Sequence, residues 1–306
     1  MHTVLVKRTA SAFQTMIKTR PKQRSNKVIA RLRNHAEGSS TKFVEALSHR
    51  MIQALGRTEP PFQTEAFEYA TLAGAKVIEA DIASAGLMSV FNGRILIEVN
   101  RNDTPERKSY TVCHEVGHIE LRRAAKLLAA STNRKAYRGR IVNEVSSRAE
   151  ERMADQFAAN LLMPEEVFRE KAKPLEPSLE NAISLARMFR TSLGATLRRI
   201  VSLGVWDCVM IWCTPEKMKG DDEWAVKIQE FKSSMPGGGL SYPRHKYVWW
   251  GGKAVHKAFV SDLVVKEMLV IDDKNWRFEG RREWHYVRSV GRQNRVMAIL
   301  VPAVAS

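Results

Sequence analysis

The apolar positions of this chain follow two periods, and the switches between them outline its elements. Over residues 42–55 they recur at helical spacing, and Gly56 and then Pro60-Pro61 close the predicted helix. Residues 67–73 predict a second, shorter helix. The period then drops to that of a strand over 76–82, 87–91 and 95–99, and Asn92-Gly93 between the last two predicts a type I′ hairpin. Val112, Val116 and Ile119 resume helical spacing, as do Ala154, Phe157, Ala158, Leu161 and Leu162 ahead of Pro164. Residues 179–190 and 195–203 predict a helical hairpin that turns at Thr191-Ser192-Leu193-Gly194, with Ser192 as N-cap of its second helix. Beyond it, 207–213, 254–260 and 296–301 predict strands, and Pro236-Gly237-Gly238-Gly239 predicts a loop.

The chemistry concentrates on two of the helical segments. His114-Glu115-Val116-Gly117-His118 places two imidazoles one turn apart on one helix face, so that both can reach one metal ion. Glu115 projects beside them, where a carboxylate can take a proton from water. Two histidines leave a tetrahedral catalytic zinc short of one protein ligand, with the last position open. The second segment, AEERMADQFAANLLMP over 149–164, carries Glu151 and Asp155 as i, i+4 neighbours. One can ligate while the other accepts the free ring N–H of a ligating histidine. Glu150 rivals Glu151 as the ligand, because only the register to Ala154 and Asp155 separates them. Taken singly, each segment is also what an amphipathic helix with edge histidines or a solvated acidic pair looks like. The pairing makes them specific.

The run PERKSYTVCHEVGHIEL over 105–121 and the run from Glu151 to Pro164, with a weaker likeness over 86–99, resemble the ImmA/IrrE metallo-endopeptidases, a gluzincin-like group. The resemblance covers less than half of the chain. It implies that His114, His118 and Glu151 are metal ligands, that Glu115 is the general base and that Asp155 is a second-shell partner. It implies Zn2+, or another divalent transition metal, as cofactor. The sequence departs from the family's usual pattern at Cys113 and Met153, and neither departure removes a ligand. The resemblance also implies a regulatory role: limited cleavage of a helix–turn–helix repressor that frees stress-response or mobile-element genes.

The expected fold is α+β. A zincin-like core of a small antiparallel sheet, an HExxH helix and a Glu-ligand helix occupies 41–175, with an exposed edge strand able to hold an extended substrate by main-chain bonds. A basic, partly flexible arm over 1–40 precedes it. A helix–turn–helix-like hairpin over 176–204 and an α+β module over 205–306 follow. All seven tryptophans, from Trp206 to Trp284, lie in that last part, so a chain ending near Leu203 is expected to fold and to hold metal.

Composition narrows the setting. No apolar run is long enough to span a bilayer. Three cysteines without a CxxC pair fit a reducing cytoplasm better than secretion. Cys113, next to a ligand, reads as a small buried hydrophobe or, less simply, as a redox switch. The net charge is +16, and Lys7, Arg8, Lys18, Arg20, Lys22 and Arg24 all precede the first acid, Glu37. Such an arm can touch nucleic acid electrostatically, serve as a solvated tail or resemble a transit peptide.

These residues describe a cytoplasmic zinc endopeptidase acting on a protein substrate, in which Glu115 moves the proton and an unidentified donor, Tyr137 or an arginine near it, holds the oxyanion. The alternative is a DNA-binding regulator that keeps a structural metal site, with Arg198 and Arg199 of the hairpin available to phosphates.

Overall fold

The structure, a computed structural model, describes residues 40–56, 59–60, 66–132, 147–217, 224–235, 247–249, 254–261, 263–273, 276–287 and 295–303. These residues form eight helices and two sheets, an α+β fold. None of the described helices is long and apolar enough to cross a membrane. The basic arm through residue 39, the glycine loop and Tyr137 lie outside the described residues. The chain divides into two compact units, Met1–Val167 with Phe189–Thr191, and Phe168–Met188 with Ser192–Ser306. The boundary expected near residue 204 therefore lies inside the second unit.

The first unit begins with α1 (Ser40–Leu55) and α2 (Ala66–Leu72), followed by β1 (Ala75–Ala80), β2 (Gly86–Phe91) and β3 (Arg94–Asn100). Asn92 and Gly93 both take positive φ, 49° and 72°, as a type I′ turn requires, and this sets β2 antiparallel to β3. The expectation of an antiparallel sheet fails at β1. β3 lies between β1 and β2, and β1 runs parallel to β3. β3 carries the buried Ile97 and Val99, so it takes the central place and leaves β1 and β2 as the edges.

Helix α3 (Pro105–Thr132) follows the sheet, with Thr104 Oγ1 accepting from Arg107 N at 3.4 Å and Pro105 at the first helical position. Val112, Val116 and Ile119 on α3 and Ala154, Phe157, Ala158, Leu161 and Leu162 on α4 (Ser147–Leu162) are buried in one core with Val44, Leu47 and Tyr69. A buried carboxylate ties this core together. Glu120 accepts from Arg50 of α1 at 2.7 Å and from Arg123 at 2.8 Å, and Arg123 also donates to the Ala73 carbonyl at 2.7 Å. Both guanidiniums keep one side in water, so the pair avoids most of the desolvation cost of a buried charge.

Helix α5 (Glu165–Ala172) runs across the division between the units, as does α6 (Leu179–Phe189) at its last residue. The second unit holds α7 (Leu193–Leu203), β4 (Val209–Lys217), β5 (Trp224–Ser233), β6 (Tyr247–Trp249), α8 (Ala254–Ser261), β7 (Val265–Asp273), β8 (Trp276–Val287) and β9 (Arg295–Pro302). Its strands form one antiparallel sheet in the order β6-β5-β4-β9-β8-β7. Ser192 caps α7, its hydroxyl accepting from Ala195 N at 3.2 Å. Residues 254–260 are helical, against the expected strand: Ala254, Val255 and Ala258 are buried together while His256 and Lys257 are exposed. A short apolar run satisfies both periods, and here one helical face against the sheet wins over alternation. Glu283, fully buried, accepts from Leu179 N at 2.6 Å at the start of α6 and pairs with Arg281 at 2.7 Å.

All three thiols are free and buried. Burial pushes Cys113 above the ordinary thiol range, Cys213 up to about 12 and Cys208 up to about 11, the last only partly offset by a Ser234 hydrogen bond. The burial of Cys113 suits its reading as a small buried hydrophobe. A chromogenic thiol reagent at pH 8 is expected to label none of the three within minutes under native conditions and all three in guanidinium. A fast-reacting native thiol would contradict the packing described here.

Candidate metal centre

Two helices build the centre, and the distance between them decides its geometry. Gly117, inside the first motif, faces Ala154 and Phe157 of α4. A Cβ added there would meet Ala154 Cα at 3.2 Å, Ala154 O at 3.3 Å and Phe157 Cβ at 3.3 Å. The missing side chain lets the backbones of α3 and α4 approach, and Glu151, one turn before Ala154, comes level with the histidines.

His114 Nε2 lies 3.2 Å from His118 Nε2 and 3.2 Å from Glu151 Oε2, and His118 Nε2 lies 3.4 Å from Glu151 Oε1. The three side chains form the one cluster of metal-binding donors found among the described residues. Behind each ring sits a carboxylate. His114 Nδ1 faces Asp155 Oδ1 at 2.9 Å, and His118 Nδ1 faces Glu150 Oε1 at 2.8 Å. A carboxylate can only accept, so each Nδ1 donates and each Nε2 turns its lone pair toward the centre.

That arrangement fits a metal ion. With both rings neutral, two lone pairs and a carboxylate oxygen face one another, and a cation placed between them meets all three. A tetrahedral zinc with bonds of about 2.0–2.1 Å needs ligand–ligand separations of roughly 3.3–3.4 Å, close to those present. The same electrostatics act on His114. Burial opposes its charged form, but the Asp155 hydrogen bond and the charges of Asp155, Glu115 and Glu151 outweigh burial and raise its pKa. Burial likewise works against the charge of Glu150, yet the His118 hydrogen bond and Arg122 hold its carboxyl below the usual range.

The histidines are largely buried, at 16% and 8% side-chain exposure, while Glu151 and Asp155 are more than half exposed, so the centre opens to solvent on the carboxylate side. Glu115 borders edge strand β2. A Cβ at Gly86 would overlap Thr111 Cγ2 and lie 3.7 Å from Glu115 Oε1, so the start of β2 passes directly over this part of α3.

The expected residues His114, His118, Glu151 and Asp155 thus converge, with Glu115 beside them at the strand. Three contacts were not read from the sequence. Tyr110 Oη donates to Asp155 Oδ1 at 2.7 Å, Arg122 Nε donates to Glu150 Oε1 at 3.0 Å, and Glu150 faces a histidine instead of competing with Glu151. Helical spacing held the signal, since Tyr110 lies one turn before His114 and Arg122 one turn after His118.

Residues 72–201 match the model of Peptidase_M78, described as the IrrE N-terminal-like domain. The match supports the likeness of this segment to the ImmA/IrrE family. The matched span contains both motif helices and the edge strand, so the family likeness and the donor cluster rest on the same residues. No curated protein matches the chain. Among solved structures, the chain is similar to a Mycobacterium tuberculosis transcriptional regulator, with a TM-score of 0.54 and 15% sequence identity over 85% of this chain and 75% of that one. At that identity the likeness is one of fold.

The helical hairpin carries no comparable site. Arg198 Nε donates to Glu230 at 2.9 and 3.1 Å, and the Arg198 guanidinium stacks over Trp212 at 4.6 Å. Arg199 is buried. Arg198 is thus paired within the second unit, while Arg187 and Arg190 of the hairpin are exposed.

Replacing Gly117 by Ala tests how far the ImmA/IrrE centre depends on helix approach. In an open helix this change stabilises by about 1 kcal/mol, whereas overpacking against a backbone costs about 1–3 kcal/mol. Denaturant unfolding is expected to show net destabilisation, and zinc affinity is expected to fall. A more stable Gly117→Ala variant with the parent's zinc affinity would show that the approach is not limiting.

Proposed function

We propose that the chain is a zinc-dependent endopeptidase that makes limited cuts in a regulatory protein, with a helix–turn–helix repressor as the favoured substrate class. The observation that carries this reading is the triangle of His114, His118 and Glu151 with Glu115 beside it, inside a segment of a peptidase family. A bound zinc would polarise the scissile carbonyl and make a water acidic enough to attack it.

The protein side chains supply the rest. Glu115 is placed on α3 to accept the proton of the attacking water and pass it to the leaving amine. His114 and His118 are oriented by Asp155 and Glu150, so neither ring has to reorganise during the reaction. β2 is an edge of its sheet, and an extended peptide adding to it by main-chain bonds would pass Glu115 at Gly86. Leu87, Val90 and Phe91 stand exposed along that strand, which suits a substrate segment with apolar residues. These features support a zincin-like core with a mixed sheet in place of the antiparallel one.

The resemblance to a transcriptional regulator is compatible with a role in gene control, here exerted by cleavage. Direct DNA binding as the main activity draws no support from Arg198, which is paired with Glu230. Three cysteines without a CxxC pair suit a cytoplasmic setting.

Glu115→Gln is expected to keep the parent's zinc stoichiometry and to lose cleavage of a repressor encoded by a neighbouring gene by on the order of 10²–10⁴-fold. Zinc analysis beside a gel-based cleavage assay reads both. Parental cleavage by the variant would sink the assignment of Glu115. Repressor left intact by the parent, with salt-dependent DNA binding that survives loss of zinc, would favour the DNA-binding regulator.

A further inference from the structure

Both histidines of the centre have a carboxylate behind Nδ1, but the two arrangements differ. Asp155 Oδ1, behind His114, is also held by the neutral hydroxyl of Tyr110 at 2.7 Å. Glu150 Oε1, behind His118, is also held by the Arg122 guanidinium, with contacts of 2.8 Å to the ring and 3.0 Å to Arg122. We propose that Glu150, clamped by Arg122, is the positioning residue for His118. Two adjacent glutamates then have separate roles, Glu151 facing the metal position and Glu150 fixing the ring beside it. The inference rests on the reading of His114, His118 and Glu151 as metal ligands.

A neutral imidazole offers its Nε2 lone pair only when the proton sits on Nδ1, and an acceptor at Nδ1 fixes both that tautomer and the rotation of the ring. His118 needs such an acceptor more than His114 does. Its side chain is only 8% exposed, half the value for His114, so water is poorly placed to replace Glu150. Arg122 extends from α3 one turn beyond His118 and meets Glu150 on α4, so the clamp spans the two helices that carry the ligands. At 57% exposure Arg122 forms a weak ion pair in its own right, and its influence lies in holding the Glu150 carboxylate in one orientation. Were the Glu150–Arg122 contact merely an interhelical surface pair, metal affinity would be indifferent to it.

The test uses the full chain. Zinc affinity is measured by competition with a chromophoric chelator for the parent, Glu150→Ala, Glu150→Gln, Arg122→Ala and His118→Ala. The visible spectrum of the Co2+-substituted forms and the thermal midpoint of the metal-free forms accompany it. Glu150→Ala is expected to lose roughly 10–100-fold in zinc affinity and to shift the cobalt bands. Glu150→Gln, whose amide oxygen still accepts from Nδ1, is expected to recover most of that loss. Arg122→Ala should weaken binding by no more than about fivefold, the range of an exposed ion pair. If Glu150→Ala does not fold, Glu150→Leu, which cannot accept from Nδ1, takes its place with the same expected loss and band shift, and parental affinity with an unchanged spectrum in that variant overturns the proposal likewise. Glu150→Ala with parental affinity and an unchanged cobalt spectrum overturns the proposal, and so does Glu150→Gln with the spectrum shifted and tenfold or greater loss. His118→Ala with parental affinity would instead overturn the ligand reading itself, and the inference would fall with it.

Discussion

The approach of α3 to α4 at Gly117 and Ala154 is the constraint on which the centre depends. Two histidines one turn apart fix only one edge of a metal site, and the third donor has to arrive from another element at a separation set by metal–ligand bonds. A side chain at position 117 would meet the backbone of Ala154 at 3.2–3.3 Å and hold the helices apart. Glu151 sits one turn from that contact, so any displacement there reaches the carboxylate almost undiminished. Helix packing and ligand geometry are in this sense one property of the first unit.

The centre is otherwise held by groups that hold each other. Asp155, Tyr110, Glu150 and Arg122 surround the outer ring nitrogens, and each lies on α3 or α4. The face below is apolar, with Val112, Cys113, Val116, Ala154 and Phe157 all buried. Burial opposes the charge on His114, yet its raised pKa reflects the negative charge that Asp155, Glu115 and Glu151 gather here, which outweighs that burial. This is an arrangement that favours cation binding over an empty, relaxed surface.

Much of the first unit was legible because its periods were long and its punctuation strong. Val112, Val116 and Ile119 repeat at helical spacing, and Asn92-Gly93 specifies its own turn. The parallel pairing of β1 with β3 was not legible, since alternation says which face a strand buries and nothing about which strand lies beside it. Residues 254–260 misled because a run as short as AVHKAFV fits either period, and only the sheet it covers makes Val255 and Ala258 one face. At the centre, spacing placed His114 and His118 on one helix face. The choice of Glu151 over Glu150 rested on the family resemblance. Neighbouring residues on a helix point about 100° apart, and only the relative rotation of α3 and α4 decides which one faces the metal position.

X-ray absorption at the zinc edge of the zinc-loaded full chain tests the central claim most directly. The structure predicts a first shell of nitrogen and oxygen only, at about 2.0–2.1 Å, with multiple scattering from two imidazoles. A sulfur shell near about 2.3 Å, or scattering from fewer than two imidazoles, would contradict the assignment of His114, His118 and Glu151 as the ligand set.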